Sequence, residues 1–173
     1  MHKLTRSPWR SLALGAVLGV AGCAQPASVP SQPFRSPGAP IWSNAQLDAA
    51  QLVGRWQQSA AFGPETGTCR PGGAEIGGTA AALTLAARLC LGGKEMRFAG
   101  PLSATGPGRF RAGDQDWWVI WVDTNYRTLA IGTPTGAFGF ILNRGGALPP
   151  DRLRAAREIF DFNGYDTARL QAF

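Results

Sequence analysis

Histidine is nearly missing from this chain: among 173 residues the single one is His2, in an N-terminal stretch that reads as a cleavable export signal. A mature form without imidazole excludes a Ser-His-Asp or Cys-His nucleophile and every His-containing zinc site. Cysteine is scarce too, with three residues, no CxxC spacing and no histidine to activate a thiolate, which argues against a redox-active pair. Positive charge is thin once the first residues are set aside. Taking Lys3, Arg6 and Arg10 from 17 basic residues leaves 14 against 11 acidic, a net +3 with no compact basic tract, so a nucleic-acid partner is not expected. The glycine pairs Gly72-Gly73, Gly77-Gly78 and Gly92-Gly93 lack the lysine and serine or threonine of a nucleotide loop. Carboxylate pairs remain formally available, but Asp114 and Asp116 sit at a turn, Glu75, Glu95 and Glu158 have no motif around them, and Asp161 and Asp166 read as helix-end and turn residues. The expectation is therefore a protein that is not an enzyme and carries no metal or cofactor, with carboxylate-only catalysis as the weakest reading.

What is plentiful is turn chemistry: 23 Gly and 13 Pro point to an all-β chain. The run Asp116 to Arg144, DWWVIWVDTNYRTLAIGTPTGAFGFILNR, holds three apolar stretches, Trp117 to Val122, Thr128 to Ile131 and Phe138 to Leu142. Asp123-Thr124-Asn125 and Pro134-Thr135-Gly136 supply the turns between three antiparallel strands. Alternation puts Trp117, Val119 and Trp121 on one face and Trp118, Ile120 and Val122 on the other. A strand that is apolar on both faces must be covered twice, which predicts a closed barrel with something packed outside. Further strands are expected over Gly54 to Phe62, within Thr66 to Ile76, over Ala82 to Leu91, Lys94 to Leu102 and Gly108 to Ala112, giving eight in all. The composition of Ala81 to Leu91 also suits a helix. A short helix over Ser43 to Val53, with Ser43 and Gln46 at capping-box spacing, is expected to plug one end. A second helix over Arg152 to Phe160 carries an apolar face of Leu153, Ala156, Ile159 and Phe160, for which Trp118 and Ile120 are the natural host. The segment Tyr165 to Phe173 is expected to return along the barrel.

The basic opening of residues 1–22, with the apolar run Leu12 to Val20, is too short for an ordinary membrane span and reads as the signal. Val20-Ala21-Gly22-Cys23 resembles a bacterial lipobox, which implies diacylglycerol on the Cys23 sulfur and cleavage before it. Ala24, rather than aspartate, favours the outer membrane, with the domain facing the periplasm. Residues 23–42, with Pro26, Pro30, Pro33, Pro37 and Pro40, read as an extended tether, and 43–173 as the folded domain. Lipidation of Cys23 would leave Cys69 and Cys90 to form a disulfide in an oxidising compartment.

Gly54 and Trp56 on the first strand, Asp123, Tyr126 and Arg127 after the strong apolar strand, and Arg144 closing the last one resemble the lipocalin family, the bacterial lipocalins in particular. The resemblance implies an eight-stranded antiparallel up-and-down barrel with a short N-terminal helix and a C-terminal helix packed outside, Arg144 lying across Trp56 at its closed end. It also favours an open calyx, lined by Trp117, Val119, Trp121, Phe138 and Phe140 with Met96 and Phe98 of matching parity, although the same side chains suit a filled core equally well. Of Arg88, Arg97, Arg109 and Arg111, one or two at the mouth would pair with a carboxylate or phosphate headgroup. The preferred function is a membrane-tethered carrier or reservoir for a fatty acid, lysophospholipid or similar lipophile. The alternative is a filled barrel that binds protein, for example as a protease inhibitor, through Gly63 to Gly67 and Gly100 to Gly108.

Overall fold

The computed structural model describes residues 32–64 and 69–173. The expected export signal, Cys23 and the start of the proline-rich segment lie outside the described residues, as does part of the Gly63 to Gly67 loop. Among the described residues nine strands form: β1 (Gly54–Phe62), β2 (Gly73–Thr79), β3 (Ala82–Leu91), β4 (Lys94–Gly106), β5 (Arg109–Ala112), β6 (Gln115–Val122), β7 (Thr128–Gly132), β8 (Gly139–Asn143) and, after helix α1 (Pro150–Phe162), the short β9 (Leu170–Ala172). Consecutive strands from β1 to β8 pair antiparallel, and β8 returns to β1, which closes an eight-stranded barrel. Pairing of β1 with β2 ends at Gln57, and β9 takes the vacated edge opposite Ala60, Ala61 and Phe62. An unpaired edge that would template aggregation is thereby covered.

Ala82–Leu91 is a strand rather than a helix. Leu83, Leu85 and Leu89 are buried while Thr84 and Ala86 are exposed, so a period of two is satisfied by the barrel interior and overrides the helical preference of alanine and leucine. The expected N-terminal helix shrinks to one 3-10 turn, Ala49–Leu52, capped by the Asp48 carboxylate, which accepts from the Ala50 amide. Ser43 is no cap: its hydroxyl donates to the Pro107 carbonyl. Leu52 nonetheless plugs the barrel end, 1% exposed.

Residues well before Ser43 pack onto the domain. Phe34 and Arg35 are buried, and the Phe34 amide donates to the Gly136 carbonyl while its own carbonyl accepts from Asp166. The Arg35 side chain donates to the carbonyls of Asn163, Pro134 and Ala39. The last part of the expected tether is thus a strap across the β7–β8 turn, held because Phe34 finds an aromatic neighbour in Phe62 and a cation, Arg169, over its ring.

Two apolar clusters divide the molecule. The inner one lies within the barrel, with residues that include Trp56, Leu89, Trp117, Leu129, Phe138, Phe140 and Leu142. The outer one lies between the barrel wall and α1: Ala60, Phe62, Ile120, Ala130 and Ile141 face Ala156, Phe160 and Tyr165. Gly132 and Gly139, paired across β7 and β8, leave the room this requires, since a Cβ on either would stand 2.8 Å from Tyr165 or Phe62.

Candidate functional site

One end of the barrel is closed by a polar clamp. The Arg144 guanidinium lies 3.7 Å from the Trp56 ring centroid and donates to the carbonyls of Gln51, Leu52 and Val53, and burial lowers its pKa from the ordinary arginine value. Trp56 Nε1 donates to Leu52, so one turn of backbone is held by two side chains. Asp123 accepts from the amides of Asn125, Arg127 and Thr128, shaping the turn in which Tyr126 takes φ +51° and its hydroxyl accepts from the Asp48 amide. Arg127 bonds the Arg144 carbonyl, and Gly54 lies against the Arg144 guanidinium. All six motif residues therefore gather at the closed end.

The other end differs. Trp117 and Val119 point inward and are buried with Phe138 and Phe140. Phe98 meets Trp117 edge-to-face at 5.1 Å, Trp117 meets Phe140 likewise at 5.1 Å, and Phe140 lies 6.0 Å from Phe138. Trp121 does not join them. Pairing of β6 with β7 shifts between Val119 and Trp121, opposite Ile131 and Ala130, so Ile120 is an extra residue in the strand. This bulge reverses the alternation and turns Trp121 outward into the cluster beneath α1.

The wall beside this aromatic row is incomplete. Strand β5 pairs only with Leu102 to Gly106 of β4, which leaves Lys94 to Pro101 joined to β3 alone among the described residues. A cavity of about 310 Å³ occupies the gap, with Leu85, Met96, Phe98 and Ala112 on its inner side and Arg97, Arg111 and Asp114 on its lip. That volume is at the lower end of the range of small-molecule sites, about 300–1,000 Å³.

The arginines divide accordingly. Arg97 reaches the lip, largely exposed and 2.7 Å from Glu95. Arg88 pairs with the same Glu95 on the outer face, and Arg109 lies 4.2 Å over the Trp118 ring and donates to Ser43. Strand position explains both: Arg88 shares the outer face with its partner Arg97 but stands on β3, one strand away from the gap, and Arg109 is opposite the outward Trp118. Neither Arg88 nor Arg109 lines the cavity.

A disulfide joins Cys69 and Cys90. Cys69 precedes β2 in a loop rather than sitting on a neighbouring strand. Beside it Gln58, buried in the wall, accepts from the Gly72 and Cys90 amides and donates to the Cys90 carbonyl. It stitches β1 to β3 where β2 does not reach, and nothing in its local sequence marks it for that task. Trp117 carries the other unanticipated feature: it is 2% exposed, yet its Nε1–H has no acceptor.

Comparison with known proteins agrees with this architecture. Residues 94–173 match the family described as Lipocalin-like domain. No curated protein is close enough in sequence to be matched. Among solved structures, lobster apocrustacyanin A1 superposes with a TM-score of 0.52 at 12% identity, covering 78% of this chain and 88% of its own. Apocrustacyanin C1 gives 0.54 at 13% identity over 78% and 88%, and the cockroach allergen Per a 4 gives 0.55 at 11% over 78% and 92%. At such identities the likeness is one of fold. The chain has the lipocalin fold, and residues 94–173, somewhat under half of it, match the Lipocalin-like domain.

Proposed function

We propose that this protein binds a small lipophile in the mouth half of its barrel and acts as a carrier or reservoir rather than as an enzyme. The observation that carries this reading is the aromatic row Phe98, Trp117, Phe140 and Phe138 behind an opening in the barrel wall. Met96 and Phe98 are only half-buried there, so apolar surface is offered to a tail. At the lip Arg97 pairs with Glu95, and Arg111 pairs with Asp116 and donates to the exposed Asp114 carbonyl; surface ion pairs of this kind contribute about 0–1 kcal/mol. A carboxylate or phosphate headgroup can therefore take either arginine at little cost, which suits a fatty acid or lysophospholipid. Lipid on Cys23 would hold the domain at the outer membrane on the periplasmic side, and intact mass of the mature N-terminus tests that part separately.

Calorimetric titration of the purified full-length protein with dodecanoate and with lysophosphatidylcholine tests the reading. Saturable binding that weakens in Phe98→Ala and persists in Trp121→Ala, which alters only the outer cluster, is expected. A folded protein that binds neither would overturn it. The rival reading, a filled barrel that binds protein, draws on the full burial of Leu89, Trp117 and Phe140. It loses one of its two contact loops, because Gly100 to Gly106 belongs to β4.

A further inference from the structure

Buried polar groups in folded proteins have a hydrogen-bond partner with few exceptions, and each exception needs a reason. Among the described residues two buried side-chain nitrogens are unpartnered, Arg144 Nε and Trp117 Nε1. The first is accounted for, since the same guanidinium already gives three bonds to backbone carbonyls through its terminal nitrogen and lies on an indole face. The second is not. The Trp117 ring is packed among apolar side chains, between Phe98 on the cavity side and Phe140 in the core. Trp56 shows what this barrel does with an indole N–H that has no ligand to serve: it pairs it with the Leu52 carbonyl at 2.8 Å.

We propose that the lipophile carries a hydrogen-bond acceptor in its buried part, a ketone, ester or ether oxygen, and that Trp117 Nε1 donates to it. This rests on the reading that the barrel mouth takes a lipophile, and it narrows the class: an unbroken hydrocarbon tail leaves the donor unsatisfied, whereas an oxygenated one pairs it. Trp117 lies one ring behind the cavity, so the ligand oxygen reaches Nε1 past Phe98, and the donor fixes how deep the ligand sits.

The test compares two probes of matched length, 2-undecanone and undecane, on the full-length protein and on Trp117→Phe, which keeps an aromatic ring and removes the donor. The variant is expected to weaken the ketone about fivefold more than it weakens undecane, the range of one neutral hydrogen bond. A measurement on the unmodified protein stands beside it: the Trp117 indole proton resonance should move downfield with 2-undecanone and not with undecane. If both probes bind, Trp117→Phe changes them alike and the resonance responds to neither, the donor role is wrong and the lipophile site survives. Binding of neither probe would remove both.

Discussion

The two aromatic clusters of this molecule sit back to back across one sheet and are finished to different degrees. Outside, Phe62, Phe160 and Tyr165 pack with ring centroids 4.9 to 5.1 Å apart, and the one polar atom among them is fully used. The Tyr165 hydroxyl accepts from the Thr133 amide and has the Thr133 and Phe138 carbonyls within reach of its proton. Inside, Phe98, Trp117 and Phe140 pack at nearly the same spacing, but Phe98 is half-buried at an opening and the Trp117 donor is idle. The outer cluster is a completed core, whereas the inner one keeps an unpartnered donor near an opening in the wall. Equal aromatic content in sequence does not distinguish the two. Satisfaction of the polar atoms does.

The largest effect that would sharpen this contrast is expected from Phe160→Ala, which empties a fully buried position under α1 and should cost about 3–5 kcal/mol in urea unfolding. Lipophile affinity in the protein that remains folded should be unchanged. If affinity fell with stability, the clusters would be one unit and the contrast would fail.

Next comes the pH dependence of the outer cluster. Burial pushes the Tyr165 phenol up to about 12, against the smaller opposing effects of the Thr133 hydrogen bond and the Arg35 charge. Above about pH 10 the unfolded chain loses this proton while the folded protein keeps it. The native state then binds more protons, so stability falls as pH rises. The contribution is complete below pH 10 and lost between about 10 and 12, worth roughly 2–3 kcal/mol. Unfolding followed across that window should show the loss, and Tyr165→Phe should flatten it.

Much of this architecture was legible because it follows period and turn chemistry. The three strands from Trp117 to Leu142 and the strand Ala82 to Leu91 lie where alternation puts them, and Pro150 opens α1 with Asp151 in its first turn. What was hidden depended on contacts distant in sequence. A bulge at Ile120 leaves no mark in a run where every residue is apolar, so Trp121 reads as lining until its pairing with Ala130 is known. Arg88 and Arg109 carry the right charge away from the gap, because which strand end borders an opening is fixed only by how the strands pair. Phe34 looks like one more residue of a proline-rich segment, and only Phe62 and Gly136 make it part of the domain. The candidate cavity results from unequal strand lengths, thirteen residues in β4 against four in β5. Composition does not encode that mismatch.

The smallest stability effect belongs to the inner cluster. Trp117→Phe loses ring volume but also removes an unpaired donor, and these opposing terms should leave stability within about 1 kcal/mol of the original. A cost near that of Phe160→Ala would mean that Trp117 is ordinary core.

The most direct measurement is diffraction from crystals of the protein soaked with 12-bromododecanoic acid, using the anomalous signal of bromine to locate the end of the tail. The account predicts a peak inside the barrel beside Phe98 and Trp117, with the carboxylate toward Arg97 and Arg111. Bromine found only on the outer surface or against α1, with the row Phe98, Trp117 and Phe140 undisturbed, would contradict it.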